Sequence, residues 1–229
     1  ALKIIPSCEY NVFECIQTNV MGTENTVEVC AFSDTVRAFL LISTDKAVLP
    51  INVYGRCKSL AESIVTTADY NYGKPQCRFM TVRFGNVISS NGSVIPLFSK
   101  FKERGESIPV THPDMTRFFI PLSRAVEFAW DALQQGQIGE IWIPKMKAVR
   151  IMDLAERFGS THTIGVRPGE KIHEDLISQY ELPRIEEFED KWIIHSQSIQ
   201  SDFCIPIRSC NTERWDLDEL IRIGTDGTC

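Results

Sequence analysis

The chain has 229 residues, a formal net charge of −6 and 43% hydrophobic side chains. This length suits one large domain or two small ones, and the charged fraction of 24% is ordinary for a soluble globular protein. The acidic balance argues against a nucleic-acid surface, because such surfaces need clustered Lys and Arg. No apolar run approaches the roughly 18 residues of a membrane span, and no signal peptide is evident, so we expect no membrane partner.

The eight cysteines are spread along the chain without a C-x-x-C pair. In a chain of this length they predict free thiols that mostly fill the core, rather than a disulfide scaffold. The four histidines also lack the spacing of metal ligands, so the sequence predicts no metal site. Reduced thiols lead us to expect a cytoplasmic protein.

The first predicted elements alternate between helix and strand. Apolar residues at helical spacing predict a helix with one inward face within residues 10–31. The apolar run Ala38 to Thr44 is typical of a strand buried on both faces. Helical periodicity covers residues 53–72, and Cys77 to Val87 is a second strand candidate. Strand, helix and strand at this spacing predict a parallel α/β sheet. The face of the first helix comprises Phe13, Ile16, Val20, Val27 and Cys30.

Further helices and a short strand follow. Ile95 to Arg104 is an amphipathic stretch, and Ser123 is the predicted N-cap of a helix that closes at Gly136. Ile141 to Pro144 is a predicted strand, and a last helical face ends at Gly159. The two helical faces are Val126, Ala129, Trp130 and Leu133, then Ile151, Leu154, Ala155 and Phe158. Trp130 and Trp142 are expected in the core, and the acidic run Glu186, Glu187, Glu189 and Asp190 on a solvated face.

Tyr54 and Lys58 form a Y-x-x-x-K pattern inside the predicted helix of residues 53–72. Positions four apart share a helix face, so the Lys58 ammonium would lie near the Tyr54 phenol and lower its pKa below about 10. A phenol with a lowered pKa is a usable base at neutral pH. The pattern alone is weak, because Tyr and Lys occur four residues apart by chance on many surface helices.

A second polar group, Ser43-Thr44-Asp45-Lys46, stands at the C-terminal end of the predicted strand. Ligands of open α/β sheets bind outside the carboxyl ends of the strands. A hydroxyl, an acid and a base at this place can orient a hydroxyl group, donate a proton and abstract one. The alternative is an ordinary polar loop in which Asp45 is a cap, but the Tyr54 helix directly downstream favours the catalytic interpretation.

Five motifs then occur in order: STDKA (43–47), PINVYGRCK (50–58), VRFGNV (82–87), MTRFFI (115–120) and VRPGEKIHE (166–174). With these motifs the chain resembles the extended short-chain dehydrogenase/reductases of the polysaccharide-biosynthesis group. It is most similar to the inverting UDP-N-acetylglucosamine 4,6-dehydratases that begin pseudaminic acid synthesis. The resemblance covers residues 1 to about 195.

The resemblance implies an NADP-dependent lyase acting on a UDP-sugar. NADP⁺ would take hydride from C4 while Tyr54 removes the hydroxyl proton, and hydride would return to C6. Lys46 would remove the C5 proton, and Asp45 would protonate the departing C6 hydroxyl. Retaining relatives carry Thr-Asp-Glu at this place, so Lys46 favours inversion at C5. The implied catalytic residues are Thr44, Asp45, Lys46, Tyr54 and Lys58.

The resemblance also implies binding residues. Arg167 and Glu170 would hold the UDP, because an Arg fork can meet phosphate oxygens bidentately. For Arg117, a structural role bonding the backbone stays equally open. The implied cofactor-binding residues are Tyr54, Lys58, Val87, Ile88, Ser89, Ser90 and Asn91. The implied substrate-binding residues are Lys46, Asn86, Arg117, Arg167 and Glu170.

The implied fold is α/β: an incomplete Rossmann-type parallel sheet flanked by helices, with a small C-terminal substrate-binding α/β lobe. Residues 1–93 would be the second half of the dinucleotide-binding domain, and residues 94–229 mainly the substrate lobe with possible return segments. The G-x-G-x-x-G turn of such domains does not occur in the sequence. We therefore expect a partial sequence that lacks roughly 85–90 residues and has little activity by itself. We also expect a homo-oligomer, with residues 10–31 and 53–72 in its interface.

Two alternatives stay open. One is a sister enzyme on the same scaffold, a sugar-nucleotide epimerase or a retaining dehydratase. The other is a non-catalytic UDP-sugar-binding protein, although the joint presence of Thr44, Asp45, Lys46, Tyr54 and Lys58 argues against it.

Overall fold

A computed structural model describes residues 1–73, 75–90, 93–199, 201 and 203–226. Its α-helices are α1 (Ile5–Tyr10), α2 (Val12–Ile16), α3 (Gly22–Ala31), α4 (Val53–Thr66), α5 (Ala68–Asn71), α6 (Val94–Glu103), α7 (Leu122–Gln135), α8 (Ile151–Glu156) and α9 (Leu217–Asp226). A π-helical turn covers Gln17–Met21, and 3₁₀ turns cover Asp45–Ala47 and Leu182–Arg184. Over the described part of the chain, no helix has the length and apolar character needed to cross a membrane.

The strands are short except for two. They are β1 (Ala38–Thr44), β2 (Arg78–Phe84), β3 (Asn86–Val87), β4 (Ile108–Val110), β5 (Thr116–Ile120), β6 (Ile141–Pro144), β7 (Lys147–Arg150), β8 (Thr161–Thr163), β9 (Asp175–Ile177), β10 (Ile185–Glu187), β11 (Lys191–Ile194) and β12 (Ile207–Arg208).

The chain divides into two compact units, each made of three segments. The first comprises Ala1–Phe84, Glu127–Lys145 and Asp175–Pro206. The second comprises Gly85–Val126, Met146–Glu174 and the chain from Ile207 onward. The domain boundary at residue 93, with return segments, stays a prediction.

The first unit is built on a five-stranded sheet in the order β1-β2-β6-β11-β10. β1, β2 and β6 are parallel, while β11 is antiparallel to both β6 and β10. One face packs on α3 and α4 through Val27, Leu41 and Val65. On the other face Phe128 of α7 contacts Phe84 and Trp142, with both pairs of ring centroids 6.1 Å apart. This confirms the predicted α/β class with a parallel sheet flanked by helices.

The second unit contains the three-stranded sheet β3-β5-β7 and the two-stranded sheet β4-β8. β3 is parallel to β5, and β5 is antiparallel to β7. Its core joins α6, α8 and α9 to the strands through side chains such as Phe98, Phe119, Leu154 and Leu220. The strand predicted over Cys77 to Val87 is interrupted at Gly85, where a Cβ would lie 2.5 Å from that of Phe118.

Several predicted elements are confirmed. The strands Ala38–Thr44 and Ile141–Pro144 have the predicted bounds, and α6 covers Val94–Glu103. The helix predicted over residues 53–72 is present as α4 and α5, with a break at Thr67. The buried residues of α8 are Ile151, Leu154 and Ala155, and Phe158, two residues beyond the end of the helix, is buried as well, as predicted. The core cysteines are Cys8, Cys15, Cys57 and Cys77, whereas Cys204 and Cys210 are exposed.

The predicted inward face of residues 10–31 is confirmed at Val27, which is buried, and at Val20 and Cys30, which are partly buried against the core, but it is wrong at Phe13 and Ile16. Phe13 and Ile16 are 73% and 37% exposed, whereas Cys15 and Asn19 are buried. The cause is the π-helical turn at Gln17–Met21, which widens the helix locally and shifts the direction of the side chains on either side. A single 3.6-residue pattern therefore does not describe this segment.

The prediction for α7 is wrong in two respects. Ser123 lies inside the helix, which begins at Leu122, so it is not the N-cap. Trp130 is 59% exposed and Val126 is exposed as well, so Trp130 is not a core residue, whereas Trp142 is buried. The buried face consists of Ala125, Phe128 and Ala132. Two apolar stripes run along this helix, and the sequence pattern did not distinguish the buried one from the exposed one.

Candidate active site

The segment from β1 to α4 brings the predicted catalytic residues together in the first unit. β1 ends at the buried Thr44, whose side chain accepts a hydrogen bond from the Lys46 N–H at 3.4 Å and so begins the 3₁₀ turn. α4 begins after Asn52, whose Oδ1 accepts the Gly55 N–H at 2.7 Å. At Gly55 a Cβ would overlap the Lys46 carbonyl, so glycine permits the close approach of α4 to the turn.

Asp45 is the centre of the polar contacts. It is fully buried, and its Oδ1 accepts hydrogen bonds from Thr44 Oγ1 and Lys46 Nζ, each at 2.9 Å. Its Oδ2 is buried without a hydrogen-bond partner among the described residues. Buried carboxylate oxygens are nearly always hydrogen-bonded, so Oδ2 is suited to accept a hydrogen bond from a bound molecule.

The Tyr54 phenol lies close enough to Thr44 for that side chain to lower the pKa of the phenol. Burial raises the pKa of Tyr54 above its ordinary value, Lys46 and the Thr44 contact lower it, and Asp45 raises it. The net shift is upward, so the prediction that the pKa of Tyr54 is lowered by Lys58 is wrong for this structure. The cation that acts on the phenol is Lys46.

The hydrogen bond of the Lys58 ammonium explains why Lys58 is not the cation that lowers the pKa of Tyr54. Its Nζ donates to the Ile42 carbonyl of β1 at 2.7 Å, and the side chain is 4% exposed. Burial lowers the pKa of Lys58, and Glu62, one helical turn further along α4, raises it. The ammonium carries three donors, and the bond to Ile42 uses one of them.

The predicted nicotinamide-side loop belongs to the second unit. Val87 ends β3, and the buried Ile88 donates its N–H to the Ile120 carbonyl at 2.9 Å. Ser89 has a positive φ of 63°, and its hydroxyl donates to the Gly224 carbonyl at 3.3 Å. Ser90 follows the turn at residues 88–89 and donates its N–H to the Val87 carbonyl at 3.4 Å, and Asn91 lies outside the described residues. The cofactor roles of these residues stay predictions.

The predicted substrate-binding residues of the second unit differ in their exposure and in the hydrogen bonds that their side chains already make within the protein. Asn86 is part of β3 and is partly exposed. Arg117 is 8% exposed, and its guanidinium donates to the carbonyls of Thr116, Ile172 and Lys171 at 2.7, 3.0 and 2.8 Å. These bonds favour the structural role for Arg117 over a substrate contact.

Arg167 and Glu170 form a loose pair in the same unit. Arg167 Nη1 lies 3.9 Å from Glu170 Oε1, and the side chains are 55% and 22% exposed. An exposed pair at this distance contributes little to stability, so the Arg167 guanidinium is free to reorganise around an anionic ligand.

Sequence reasoning missed a buried charge network next to Lys58. Arg83 of β2 pairs with both Glu62 and Glu181. Two signals were present in the sequence. Arg83 is a charged residue within an apolar strand, where unpaired charges are rare, and Glu62 continues the four-residue spacing of Tyr54 and Lys58.

The comparisons with known proteins identify the family. The family model described as polysaccharide biosynthesis protein matches residues 1–196. An uncharacterized membrane protein of Methanocaldococcus jannaschii is 42% identical over 88% of this chain and 65% of its own length. The UDP-N-acetylglucosamine 4,6-dehydratase (inverting) of Campylobacter jejuni is 39% identical over 90% of this chain and 64% of its length. The UDP-glucose 4-epimerase of Rickettsia rickettsii is 37% identical over 85% and 59%.

Solved structures show the same fold. Pen from Bacillus thuringiensis is 33% identical to this chain and superimposes with a TM-score of 0.89. The match covers 97% of this chain and 72% of the Pen chain. The dTDP-glucose 4,6-dehydratase DesIV from Streptomyces venezuelae, solved with NAD bound, is 18% identical over 75% of this chain and 61% of its own, with a TM-score of 0.67. The chain spans 59 to 65% of the length of the three curated relatives named above. It belongs to the polysaccharide biosynthesis protein family, and its named relatives include nucleotide-sugar dehydratases and epimerases.

Proposed function

We propose that the natural protein containing this chain is a C5-inverting UDP-N-acetylglucosamine 4,6-dehydratase that uses NADP. The observation that carries the proposal is the contact of a lysine, a carboxylate and a tyrosine at one strand end: Lys46 Nζ and Thr44 Oγ1 on Asp45 Oδ1, with Tyr54 beside Thr44. The 39% identity to an inverting dehydratase supports the same activity.

The hydrogen bond between Lys46 and Asp45 lets the two side chains exchange a proton, so that Lys46 can act as a base and Asp45 as an acid. At rest the pair is an ammonium donating to a carboxylate at 2.9 Å. Transfer of that proton along the hydrogen bond leaves a neutral lysine to abstract the C5 proton and a neutral carboxylic acid to protonate the C6 hydroxyl. Elimination of water then returns Lys46 to ammonium and Asp45 to carboxylate, so the pair ends as it began. The hydride that would return to C6 is balanced by a proton that solvent delivers to C5 on the opposite face of the sugar ring, which inverts the configuration there.

Tyr54 is the proposed base for the C4 hydroxyl. Because its pKa is raised by burial, the phenolate depends on Lys46 and on the neighbouring Thr44, both of which lower that pKa. When bound, NADP⁺ would accept hydride from C4 and return it to C6, so no net redox change occurs. Lys58, with donors beyond its bond to Ile42, fits a hydroxyl-bearing cofactor, and the loop Val87 to Asn91 is the proposed second cofactor contact.

The proposed contacts to the UDP-sugar are Asn86, Arg167 and Glu170. The proposed cellular location of the protein is the cytoplasm. We also propose a homo-oligomer, because the N-terminal helices expose large apolar side chains.

The test is product analysis by NMR after incubation of the natural protein with UDP-N-acetylglucosamine and NADP⁺ in D₂O. The proposal predicts a 4-keto-6-deoxy product with a C6 methyl signal, deuterium at C5 and inverted C5 configuration. The matched control is Tyr54→Phe, which keeps the ring and removes the base, and we expect a loss of at least 10²-fold. Absence of any product from the wild-type protein would refute the activity.

An epimerase is the second candidate, because relatives 37% identical are named UDP-glucose 4-epimerases. The same NMR spectra separate the two. Inversion at C4 with C6 still hydroxylated would favour the epimerase, whereas a methyl group with retained C5 configuration would favour a retaining dehydratase.

A further inference from the structure

The loop of residues 165–170 is anchored at both ends within the second unit. Before the loop, β8 is parallel to β4, and the Ile164 N–H donates to the Val110 carbonyl at 2.9 Å. After the loop, the Thr116 N–H at the start of β5 donates to the Ile172 carbonyl at 3.0 Å. Hydrogen bonds to two strands of this unit therefore fix where the loop begins and ends.

The two charged side chains of the loop retain hydrogen-bonding capacity. Arg167 is 55% exposed, and its Nη1 lies 3.9 Å from Glu170 Oε1, which is too far for a hydrogen bond. Glu170 Oε2 is buried and has no hydrogen-bond partner among the described residues. Buried carboxylate oxygens are nearly always hydrogen-bonded, so this oxygen is suited to accept a bond from a donor group of a bound molecule.

Arg117 of β5 holds the chain directly after Glu170. Its Nη2 donates to the Lys171 carbonyl at 2.8 Å, and its Nη1 donates to the carbonyls of Ile172 and Thr116 at 3.0 and 2.7 Å. A guanidinium is planar and has five N–H donors in a fixed arrangement, so one side chain fixes three carbonyl groups at once. A lysine cannot reproduce this geometry, because its single ammonium ends a flexible stem.

The next two residues of the chain are bonded as well. His173 Nδ1 lies 2.8 Å from Thr116 Oγ1, and the Glu174 N–H donates to Ser209 Oγ at 2.9 Å. Ser209 is fully buried, and its Oγ lies 2.6 Å from Thr116 Oγ1. Residues 171–174 thus form a firmly held base for a loop whose charged side chains are only loosely paired.

The burial of Arg117 is not explained by stability. Arg117 is 8% exposed, and its Nε lies 3.7 Å from Oε1 of the buried Glu174. Replacement of a buried ion pair by packed apolar residues is often neutral or stabilising, so such a pair is weak evidence for a contribution to stability. An apolar residue, however, could not bond the carbonyls of Lys171 and Ile172.

We propose that Arg117 is a positioning residue, which holds the end of the 165–170 loop in its ligand-binding conformation so that Arg167 and Glu170 can receive a nucleoside diphosphate. Arg117 itself does not touch the ligand. A loop that is ordered before binding loses less conformational freedom when the ligand binds, so this anchoring raises affinity. The identity of the ligand rests on the proposed function, whereas the anchoring of the loop does not.

The first experiment needs no variant. NMR spectra of the arginine Nε–H groups in the ¹⁵N-labelled natural protein, assigned through the backbone, are recorded with and without UDP. The proposal predicts that UDP shifts the Arg167 signal and that the Arg117 signal moves by less than half as much. A shift of Arg117 as large as that of Arg167 would overturn the proposal, because it would indicate direct contact of Arg117 with the ligand.

The second experiment measures UDP affinity by isothermal titration calorimetry. Arg117→Lys keeps the charge but loses the planar donor arrangement, and we expect the Kd for UDP to rise about tenfold. In turnover, the KM for the sugar nucleotide should rise by a similar factor while kcat stays within about twofold, since ground state and transition state lose the same binding. A fall in kcat with unchanged KM would contradict the proposal.

Arg78→Lys is the matched control. Arg78 also donates to two main-chain carbonyls, those of Leu133 and Gly136, but it does so in the first unit. We expect this variant to bind UDP with a Kd within about twofold of the wild-type value. An equal rise in Kd for both variants would count against the proposal, because it would reflect general loosening of the protein.

A double-mutant cycle tests whether Arg117 acts through Arg167. Arg167→Ala removes the side chain that is proposed to meet the diphosphate. In that background Arg117→Lys should raise the Kd for UDP by less than about threefold, because the group that it positions is gone. The full tenfold effect in both backgrounds would show that Arg117 acts independently of the loop.

These readouts separate the positioning role from the proposed function. If the natural protein binds UDP with the expected pattern of variants but forms no dehydrated product, the dehydratase proposal fails and the positioning role stands. If turnover is normal and the Kd for UDP does not respond to Arg117→Lys, the positioning role fails alone. A wild-type protein that does not bind UDP would refute both.

Discussion

Leu49 adopts a backbone conformation that leucine rarely tolerates. Its φ is +44°, and its side chain is 45% exposed, so little packing offsets the strain. Asn accepts the left-handed region more readily, because its short side chain can bond the local backbone. We predict that Leu49→Asn raises the free energy of unfolding by about 1 kcal/mol, measured by urea denaturation.

The matched control is Ile51→Asn. Ile51 is 47% exposed but is not among the described residues of positive φ, so the same change should leave stability within about 0.5 kcal/mol. Equal effects of the two substitutions would show that loss of exposed apolar surface, rather than relief of strain, determines the result.

The Thr44 contact with Tyr54 gives a pH prediction. This contact lowers the pKa of Tyr54, so its removal by Thr44→Val raises that pKa further. Less phenolate is then present at a given pH, and the acid limb of the kcat profile moves to higher pH. We predict a shift of about one unit, with activity at pH 7 about tenfold lower and recovered at higher pH.

Ser43→Ala is the control for this variant. Ser43 is the neighbouring residue and is buried, and its hydroxyl has no hydrogen-bond partner among the described residues. Its removal should leave the pH profile unchanged. A Thr44→Val profile that is lower at every pH without a shift of its limb would contradict the assigned effect on Tyr54.

That Asp45, Lys46 and Tyr54 lie together at the end of β1 could be predicted from the sequence, but their electrostatic coupling could not. Tyr54 and Lys58 are four apart on α4, as expected, yet the Lys58 ammonium is bonded to the Ile42 carbonyl. A helical pattern fixes which residues share a face, but the direction of a long side chain depends on acceptors supplied by other elements. The effect of Lys46 on Tyr54 likewise depends on the turn after β1.

At the scale of elements, the contact between α4 and the 3₁₀ turn depends on one glycine. A Cβ at Gly55 would overlap the Lys46 carbonyl. We predict that Gly55→Ala separates the helix from the turn, lowers the free energy of unfolding by about 1–3 kcal/mol and reduces kcat, as measured by denaturation and kinetics.

Gly22 provides the matched control, because it is also helical but its Cβ would lie 3.7 Å from the nearest atom, the Gln17 carbonyl oxygen. Gly22→Ala should stabilise the protein by up to about 1 kcal/mol, since Ala is the better helix former. Destabilisation by both substitutions would argue against a specific role of the Gly55 contact.

The elements themselves were predictable to different degrees for physical reasons. β1 and β6 are continuous apolar runs between polar turns, and short runs of this kind are typical of strands in a parallel sheet. α7 carries apolar residues on both sides, so its buried face is decided by packing of Phe128 on Phe84 and Trp142. The π-helical turn at Gln17–Met21 has no composition signal, so the exposure of Phe13 could not be foreseen.

At the scale of the whole molecule, large apolar side chains remain exposed on the N-terminal helical segment and on α4. Tyr10, Phe13, Val29 and Phe32 are 89, 73, 69 and 72% exposed, and Leu60 of α4 is 54% exposed. Soluble monomers rarely expose extensive apolar surface, and such surfaces commonly mark protein interfaces. Their location agrees with the segments that we expect at the interface of a homo-oligomer.

We therefore predict that the natural protein is a homo-oligomer and that Phe13→Glu lowers its molar mass, measured by size-exclusion chromatography with light scattering. A buried, unpaired carboxylate at an apolar interface costs several kcal/mol, which is enough to dissociate a typical dimer at micromolar concentration. Tyr180→Glu is the matched control, because Tyr180 is 72% exposed but lies outside both helical segments. If only the control variant dissociates, the interface lies elsewhere, and a monomeric wild-type protein would rule out the oligomer itself.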